Sequence, residues 1–376
     1  MEFRDLKLQY SKSREAIDSA IQGVLLSGNF IGGEPVNQLE KKLADYVGVK
    51  HCITCGNGTD ALQLALMAWG IGAGDAVFVP DFTFFSTAEV VPWADATPVF
   101  VDVDKDTFNL SVNALEEAIQ NVIREGKLVP RVVIAVDLFG QPADFPKIRK
   151  ITQKYNMLLL EDGAQGFGGK IGDKKACGFG DISTTSFFPA KPLGCYGDGG
   201  AVFTNNDEWA ELIRSYKVHG KGENKYDNIR IGLNSRLDTI QAAVLNIKLD
   251  KFEEETKLVN YWADMYAKKL GGIVKCPIVS KGFYSSWAQY TILFEDSEQR
   301  DYVQKELKKY DIPTMIYYAK GIHQQKALSK YLDADKDYPV TEAVCKKCLS
   351  LPMHPYLTEE DIDFIVNKLC SSIKNM

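Results

Sequence analysis

The chain has 376 residues, enough for two domains at about 150 residues each. Its content of 45% hydrophobic and 25% charged residues excludes a disordered, collagen-like or disulfide-dense protein. The 44 basic and 50 acidic residues give a net charge of −6, so the chain has no overall positive charge to attract nucleic acid. No apolar run approaches the roughly 18 residues of a membrane helix and no secretory signal opens the chain, so we expect a soluble, cytoplasmic protein without membrane contact.

Two amphipathic helices are predicted near the start, over 12–26 and 35–47, around a loop at 27–33. Further along, short β-prone runs alternate with helical patterns, which is typical of a mainly parallel sheet covered by helices on both faces. The runs at 131–136 and 157–160 are almost wholly apolar, as buried central strands should be. The predicted strands are 51–54, 76–79, 98–101, 131–136, 157–160, 182–187 and 200–204, and the helices between them lie near 59–69, 85–94, 111–124 and 144–155.

The pattern changes after about residue 250, where a charged helix is followed by a mixture of strand and helix signals. This change of sequence pattern predicts a smaller α+β domain over 251–376, after a large domain over 1–250. No repeat or low-complexity linker separates the two, so we expect them to pack closely. The predicted elements are a helix at 248–269, a strand near 287–294, a helix at 297–309, a segment at 313–318 and a C-terminal helix at 358–373.

Eight cysteines include two pairs with C-x-x-C spacing, Cys52 with Cys55 at the end of a predicted strand and Cys345 with Cys348 in a predicted helix. A zinc ribbon needs two such pairs about 15–20 residues apart, whereas nearly the whole chain separates these. The four histidines form no metal-binding motif. We therefore expect buried or half-buried free thiols and no metal site.

Polar residues after the predicted strands are the candidates for chemistry, because ligands bind at the carboxyl ends of strands in open parallel sheets. Gly58 and Thr59 follow the strand at 51–54 and open a helix. Free N–H groups and the helix dipole at such a start favour a phosphate. A simple helix cap is the alternative reading of these two residues.

Asp162 and Lys191 follow two other predicted strands of the same sheet. A carboxylate at a buried sheet end needs a cationic partner to offset its desolvation, although Asp162 could also be an ordinary cap. Lys191 lies between Pro189 and Pro192 in a run without other charges. Burial lowers the pKa of a lysine and makes the amine nucleophilic, as Schiff-base chemistry requires. A surface lysine with its stem along the protein is the alternative.

Together these residues indicate pyridoxal 5′-phosphate, which needs a phosphate cradle, a lysine for its aldehyde and a carboxylate for its pyridine nitrogen. Gly58 and Thr59 with Ser186 provide the cradle, Lys191 the amine and Asp162 the carboxylate. A nucleotide-binding Rossmann protein is disfavoured, because no G-x-G-x-x-G follows the first strand.

Four stretches carry a resemblance to a known family, in the same order along the chain: GNGTDAL at 56–62, EDGAQ at 161–165, SFFPAK at 186–191 and NSRLD at 234–238. They resemble the DegT/StrS nucleotide-sugar aminotransferases, which are fold-type I pyridoxal-phosphate enzymes. The likeness extends from the loop at 30–32 to the segment at 351–354 and implies an α/β fold with a smaller C-terminal α+β domain.

The resemblance also implies a role for each matched residue. Lys191 would bind the cofactor aldehyde and later move the proton, and Asp162 would pair with the pyridinium nitrogen. Asn234 would reach the phosphate of the neighbouring subunit, which implies a homodimer with the site at its interface. The remaining roles are cofactor binding for Gly58, Thr59, Phe84, Gln165 and Ser186, and substrate binding for Phe30, Arg236, Tyr317 and Tyr318.

The resemblance predicts transfer of the amino group of L-glutamate to a nucleotide-linked keto-sugar, in two half-reactions, for amino-sugar and surface-glycan synthesis such as lipopolysaccharide. Family relatives that are dehydratases carry histidine in place of the lysine, so Lys191 favours transamination over that alternative. A non-catalytic cofactor-binding homologue is disfavoured by Lys191 and Asp162. The run at 191–200 is similar to enzymes of UDP-linked 3-keto N-acetyl hexuronates, but Tyr317 stands where those have a His-Tyr-Pro segment.

Overall fold

The computed structural model describes residues 1–224, 226–333 and 336–376. Its strands occur in three sheets, and the largest has seven strands. In the described chain the strands are β1 (His51–Cys55), β2 (Asp75–Pro80), β3 (Thr97–Val101), β4 (Val129–Val136), β5 (Leu158–Asp162), β6 (Lys170–Ile171), β7 (Lys174–Lys175), β8 (Ile182–Ser186), β9 (Gly200–Thr204), β10 (Phe283–Tyr284), β11 (Tyr290–Leu293) and β12 (Cys348–Leu351).

Helices cover the sheet and form most of the C-terminal region. In the described chain they are α1 (Leu6–Ser27), α2 (Glu34–Val47), α3 (Gly58–Ala68), α4 (Ser86–Trp93), α5 (Val112–Glu125), α6 (Phe145–Lys154), α7 (Asp207–Tyr216), α8 (Thr239–Leu270), α9 (Ser297–Lys308), α10 (Pro339–Lys347) and α11 (Glu359–Lys374). Short 3₁₀ turns lie at Leu138–Gly140, Ile322–Gln324 and Lys326–Tyr331.

The large sheet has the spatial order β1-β9-β8-β5-β4-β2-β3. Only β9 within it runs antiparallel to its neighbours, so the other six strands share one direction. Side chains of β4 alternate between two cores: Val132 and Ile134 join the cluster under α3 and α4, and Val133 and Ala135 join the cluster under α5 and α6. Burial on both faces explains the continuous apolar run of this strand and confirms the predicted sheet.

The C-terminal region has its own core around the antiparallel pair of β11 and β12. Helix α8 contributes to both regions: Ala242 and Leu245 pack in a core of the large sheet, and Val259 and Trp262 pack in the C-terminal core. The domain boundary at 250/251 falls inside this helix and stays a prediction.

Several local predictions were incomplete or wrong. Helix α8 begins at Thr239 rather than at 248, and β11 is shorter than the predicted 287–294. Cys348 begins β12, because α10 ends at Lys347, so the helix predicted for Cys348 is wrong. Short strands such as β6, β7 and β10 were missed, since two residues give no readable alternation.

All eight cysteines are free; six are buried, and Cys276 and Cys370 are half-buried. Across the described ranges no group of three His, Cys, Asp or Glu side chains is arranged to hold a metal ion. No helix in the described part of the chain is long and apolar enough to cross a bilayer.

Candidate active site

The start of α3 forms one side of the site, next to the end of β8. A Cβ atom on Gly58 would lie 2.8 Å from Cβ of Ser186, so glycine permits this close approach. Asn57 caps the helix by accepting the amide of Asp60 at 2.8 Å. Among the described residues, the amides of Gly58 and Thr59 have no hydrogen-bond partner. These donors at a helix start, close to the Ser186 hydroxyl, suit a phosphate.

Thr59 extends this phosphate cradle toward α4. Its hydroxyl lies 2.8 Å from Oγ of Ser86, which in turn donates to Oε1 of Glu89 at 3.1 Å. Ser86 was not identified from the sequence. Its signal was the hydroxyl spacing of Thr83, Ser86 and Thr87, which puts three hydroxyls on one side of the helix start.

Asp162 is the last residue of β5 and is only 5% exposed. Its Oδ2 atom accepts a hydrogen bond from the Thr87 hydroxyl at 2.8 Å, and Oδ1 accepts the Ala164 amide at 3.2 Å. Burial raises the pKa of Asp162, whereas Thr87, Ala164 and the nearby Lys191 act to lower it. A buried carboxylate held in one orientation suits a positively charged ring nitrogen. Thr87, which orients it, was missed at the sequence level.

Lys191 lies in the turn that follows β8, and its amide donates to the Phe188 carbonyl at 2.8 Å. The turn closes where Cys195 donates its amide to the Phe187 carbonyl at 2.8 Å. Burial lowers the pKa of Lys191; Asp162 opposes this effect, and Arg4 adds to it. Burial therefore shifts Lys191 toward the neutral amine, which is the nucleophilic form.

Gln165 connects the sheet edge to the C-terminal region. It is 3% exposed; its Oε1 accepts the Phe139 amide at 2.7 Å, and its Nε2 donates to the Tyr318 hydroxyl at 3.0 Å. The Tyr318 ring lies 6.5 Å from Phe84 and 5.7 Å from Tyr317. The structure thus brings Phe84, Gln165 and both tyrosines together, although their contacts with cofactor and substrate stay predictions.

The rim of the site carries Phe30, Asn234 and Arg236. Arg236 donates to Oδ1 of Asn234 at 2.6 Å, and between them Ser235 accepts the Gly56 amide at 2.9 Å. The Phe30 carbonyl accepts the Thr239 amide at 2.9 Å, which holds the Phe30 loop against the same segment. The fold therefore places these residues beside the cradle, but the side chains of Asn234 and Phe30 are exposed.

The residues present fit pyridoxal 5′-phosphate. The amides of Gly58 and Thr59, which have no partner among the described residues, form an anion cradle with the Thr59 and Ser186 hydroxyls, where a glycine Cβ would intrude. A buried carboxylate stands at a neighbouring strand end, and a lysine whose pKa is lowered by burial lies after a third strand. On a mainly parallel α/β sheet, this combination defines a pyridoxal-phosphate-dependent enzyme.

Comparison with known proteins agrees with this assignment. The chain matches the DegT/DnrJ/EryC1/StrS aminotransferase family over residues 11–370 and belongs to it. It is 43% identical, over all of both chains, to the UDP-2-acetamido-2-deoxy-3-oxo-D-glucuronate aminotransferase of Pseudomonas aeruginosa.

Two solved structures extend the comparison. A DegT/DnrJ/EryC1/StrS aminotransferase from Brucella abortus has a TM-score of 0.95 at 49% identity and covers 98% of each chain. Bacillus subtilis NtdA, solved with bound pyridoxamine phosphate, has a TM-score of 0.87 at 28% identity, covering 96% of this chain and 82% of its own. The fold and the cofactor expected from the sequence are thereby confirmed.

Proposed function

We propose that the protein transfers the amino group of L-glutamate to a keto group of a nucleotide-linked sugar, with a UDP-linked 3-keto N-acetylated sugar as the first candidate. The observation that carries this proposal is a lysine, Lys191, whose pKa is lowered by burial and which interacts electrostatically with the buried Asp162. The name of the Pseudomonas relative supports the choice of sugar, since that protein is similar over its whole length.

The residues divide the chemical work between them. When bound, the cofactor withdraws electrons from the carbon that carries the amino group, so that a proton there can be moved. Lys191 would hold the cofactor covalently until the amino group of the donor displaces it, and the released amine would then accept that proton and return it to the cofactor carbon on the other side of the transferred nitrogen. Asp162, oriented by Thr87, would stabilise the positive ring nitrogen. Gly58 and Thr59, together with Ser186, would bind the phosphate.

The test is transfer of labelled nitrogen. The protein is loaded with the cofactor and supplied with ¹⁵N-glutamate and a UDP-linked 3-keto N-acetylated sugar. The mass of the sugar product is then measured by mass spectrometry. We expect an amino sugar that carries the label and one 2-oxoglutarate for each amine formed. The proposal is wrong if label never reaches UDP- or dTDP-linked 3-keto sugars while the cofactor is bound.

We further propose that the active unit is a homodimer, with the partner's copy of Asn234 reaching the cofactor phosphate. The exposed apolar side chains in this part of the chain include Phe30, Ile31, Phe84, Phe188 and Ile231, the last of them at 94%. Exposed apolar side chains in one neighbourhood are typical of an interface. Light scattering at micromolar concentration should give twice the mass of the chain, and a monomer that retains full activity would contradict this arrangement. The cytoplasmic location and the role in lipopolysaccharide synthesis stay predictions.

A further inference from the structure

The N-terminal segment ahead of α1 passes directly behind the turn that carries Lys191. Arg4 donates from Nη2 to the Pro192 carbonyl at 3.2 Å, and Pro192 is the residue after the lysine. The Phe3 carbonyl accepts the Met353 amide at 3.3 Å, and the Phe3 ring lies 6.2 Å from that of Tyr317. The segment is thus held between the lysine turn and the C-terminal region.

The charge of Arg4 is only partly balanced. Among the described residues, no carboxylate oxygen lies within 4.0 Å of its guanidinium, although the side chain is half-buried. Glu255 on α8 is the acidic group that acts on it electrostatically, but Glu255 also accepts hydrogen bonds from Gln9 and Tyr356. Burial lowers the pKa of Arg4 to about 10, still far above neutral pH, so the guanidinium stays positive.

A second cation lies at the same turn. Lys248 on α8 donates to the Gly194 carbonyl, and its ammonium lies 4.7 Å from the Tyr196 ring centre. Burial, reinforced by Arg4, lowers the pKa of Lys248 to about 8. His354, behind the same segment, has its pKa lowered to about 4 mainly by burial and is neutral at pH 7. The back of the lysine turn therefore carries positive charge, while Asp162 faces Lys191 from the sheet.

We propose that Arg4 is a positioning residue for Lys191: it holds the peptide that follows the lysine, and its positive charge at the back of the turn disfavours a second positive charge on the lysine amine. Two positive charges in a partly desolvated region repel each other far more than in water. Protonation of Lys191 would add a second positive charge beside Arg4, so the neutral amine is favoured. The proposal rests on the role that the proposed function gives Lys191, and it adds the source of that reactivity.

The direction of the pKa shift at Lys191 agrees with this geometry. Burial is the largest cause, Asp162 opposes it, and Arg4 is the charged group that reinforces it. Asp162 alone would favour the protonated amine, because an opposite charge stabilises the charged form. Arg4 therefore offsets part of the effect of the carboxylate that the cofactor ring needs.

The test measures the pKa of Lys191 directly. The cofactor-free protein is acylated briefly at a series of pH values, and the fraction of modified Lys191 is read from its peptide by mass spectrometry. In Arg4→Met we expect this pKa to rise by about one unit, which is a tenfold loss of neutral amine at a fixed pH below it. Arg4→Lys, which keeps the charge, should restore most of the original value.

Two further variants separate charge from structure. Arg14→Met is the matched control: it removes an arginine that is 69% exposed and paired with Asp18, and it should leave the pKa of Lys191 unchanged. Glu255→Gln removes the acid that balances Arg4 and should shift the pKa of Lys191 in the opposite direction, to a lower value. If Arg4→Met does not fold, the pKa of Lys191 in Glu255→Gln still tests whether the charge of Arg4 acts on the lysine.

The proposal is overturned if Arg4→Met leaves the pKa of Lys191 unchanged, or if Arg4→Lys raises it as much as Arg4→Met does. If Arg4→Met does not fold, an unchanged or raised pKa in Glu255→Gln overturns it. A second readout is the pH at which the visible absorption of the cofactor-loaded protein changes. In each variant this pH should shift in the same direction as the pKa of Lys191 in that variant. Neither measurement needs glutamate or a sugar, so failure of the proposed transfer reaction and failure of this inference are distinguishable.

Discussion

The site has an inner wall, formed by Asp162, Lys191, Gln165 and the phosphate cradle, and a rim, formed by Phe30, Asn234 and Arg236. The two differ in how much of their surface is buried within a single chain. On the inner wall, Asp162 is hydrogen-bonded to Thr87, and Gln165 is hydrogen-bonded to both Phe139 and Tyr318. On the rim, Asn234 and Arg236 bond to each other, and Phe30 is 47% exposed. Buried groups held by hydrogen bonds are pre-organised for a ligand, whereas exposed groups at a rim are accessible to further partners. We therefore expect the inner wall to set the chemistry and the rim to bind the proposed second subunit and the substrate.

The largest effect is expected at the inner wall, in Lys191→Ala. This variant loses both the covalent attachment of the cofactor and the proton transfer, so turnover should fall by at least about 10⁴-fold. Lys248→Met is the matched control, because Lys248 is a buried lysine that contacts the same turn. Visible absorption and turnover should both be lost in the first variant and kept in the second. Retained turnover in Lys191→Ala would remove the lysine from the mechanism.

The second prediction tests whether the rim is shared between subunits. Chains with Lys191→Ala and chains with Asn234→Ala are each expected to be weakly active alone. If each site combines Lys191 of one subunit with Asn234 of the other, mixing the two variants in equal amounts should restore about one quarter of the wild-type activity. The reason is that half of the random dimers are mixed, and each mixed dimer has one intact site. Activity that does not rise on mixing, when subunit exchange is verified, would place both residues in the same chain's site.

The same contrast explains how much of the molecule could be predicted from the sequence. Asp162 and Lys191 could be found because a charge beside a buried apolar strand is rare and therefore informative. The roles of Thr87 and Arg4 were missed, since a threonine in a helix and an arginine near a terminus are common, and only the three-dimensional structure brings them to Asp162 and Pro192. The central strands were similarly readable from their apolar runs, unlike the two-residue strands.

The third prediction concerns the carboxylate of the inner wall. Asp162→Asn keeps the shape but removes the negative charge, so the half-reaction with glutamate should slow by roughly 100-fold or more. Thr87→Val removes only the hydroxyl that orients this carboxylate at 2.8 Å and should cost about tenfold. Stopped-flow absorbance of the cofactor measures both rates. Equal rates in Thr87→Val and the wild type would mean that the backbone bond from Ala164 alone orients Asp162.

The last prediction concerns Gly58→Ala, which should leave the chemistry intact and change only cofactor affinity, and which tests whether the cradle is as tightly built as the geometry indicates. The added Cβ would lie 2.8 Å from Cβ of Ser186, so either α3 or the end of β8 must shift. Overpacking of this kind costs about 1–3 kcal/mol, which should weaken cofactor binding by roughly 5- to 150-fold. Gly23→Ala is the control: nothing lies within 4 Å of its added Cβ, and an exposed helical position gains about 0.5–1 kcal/mol from alanine. Fluorescence titration of the cofactor measures the affinity. Unchanged binding in Gly58→Ala would show that the phosphate is held elsewhere. The cradle would then not belong to the pre-organised inner wall.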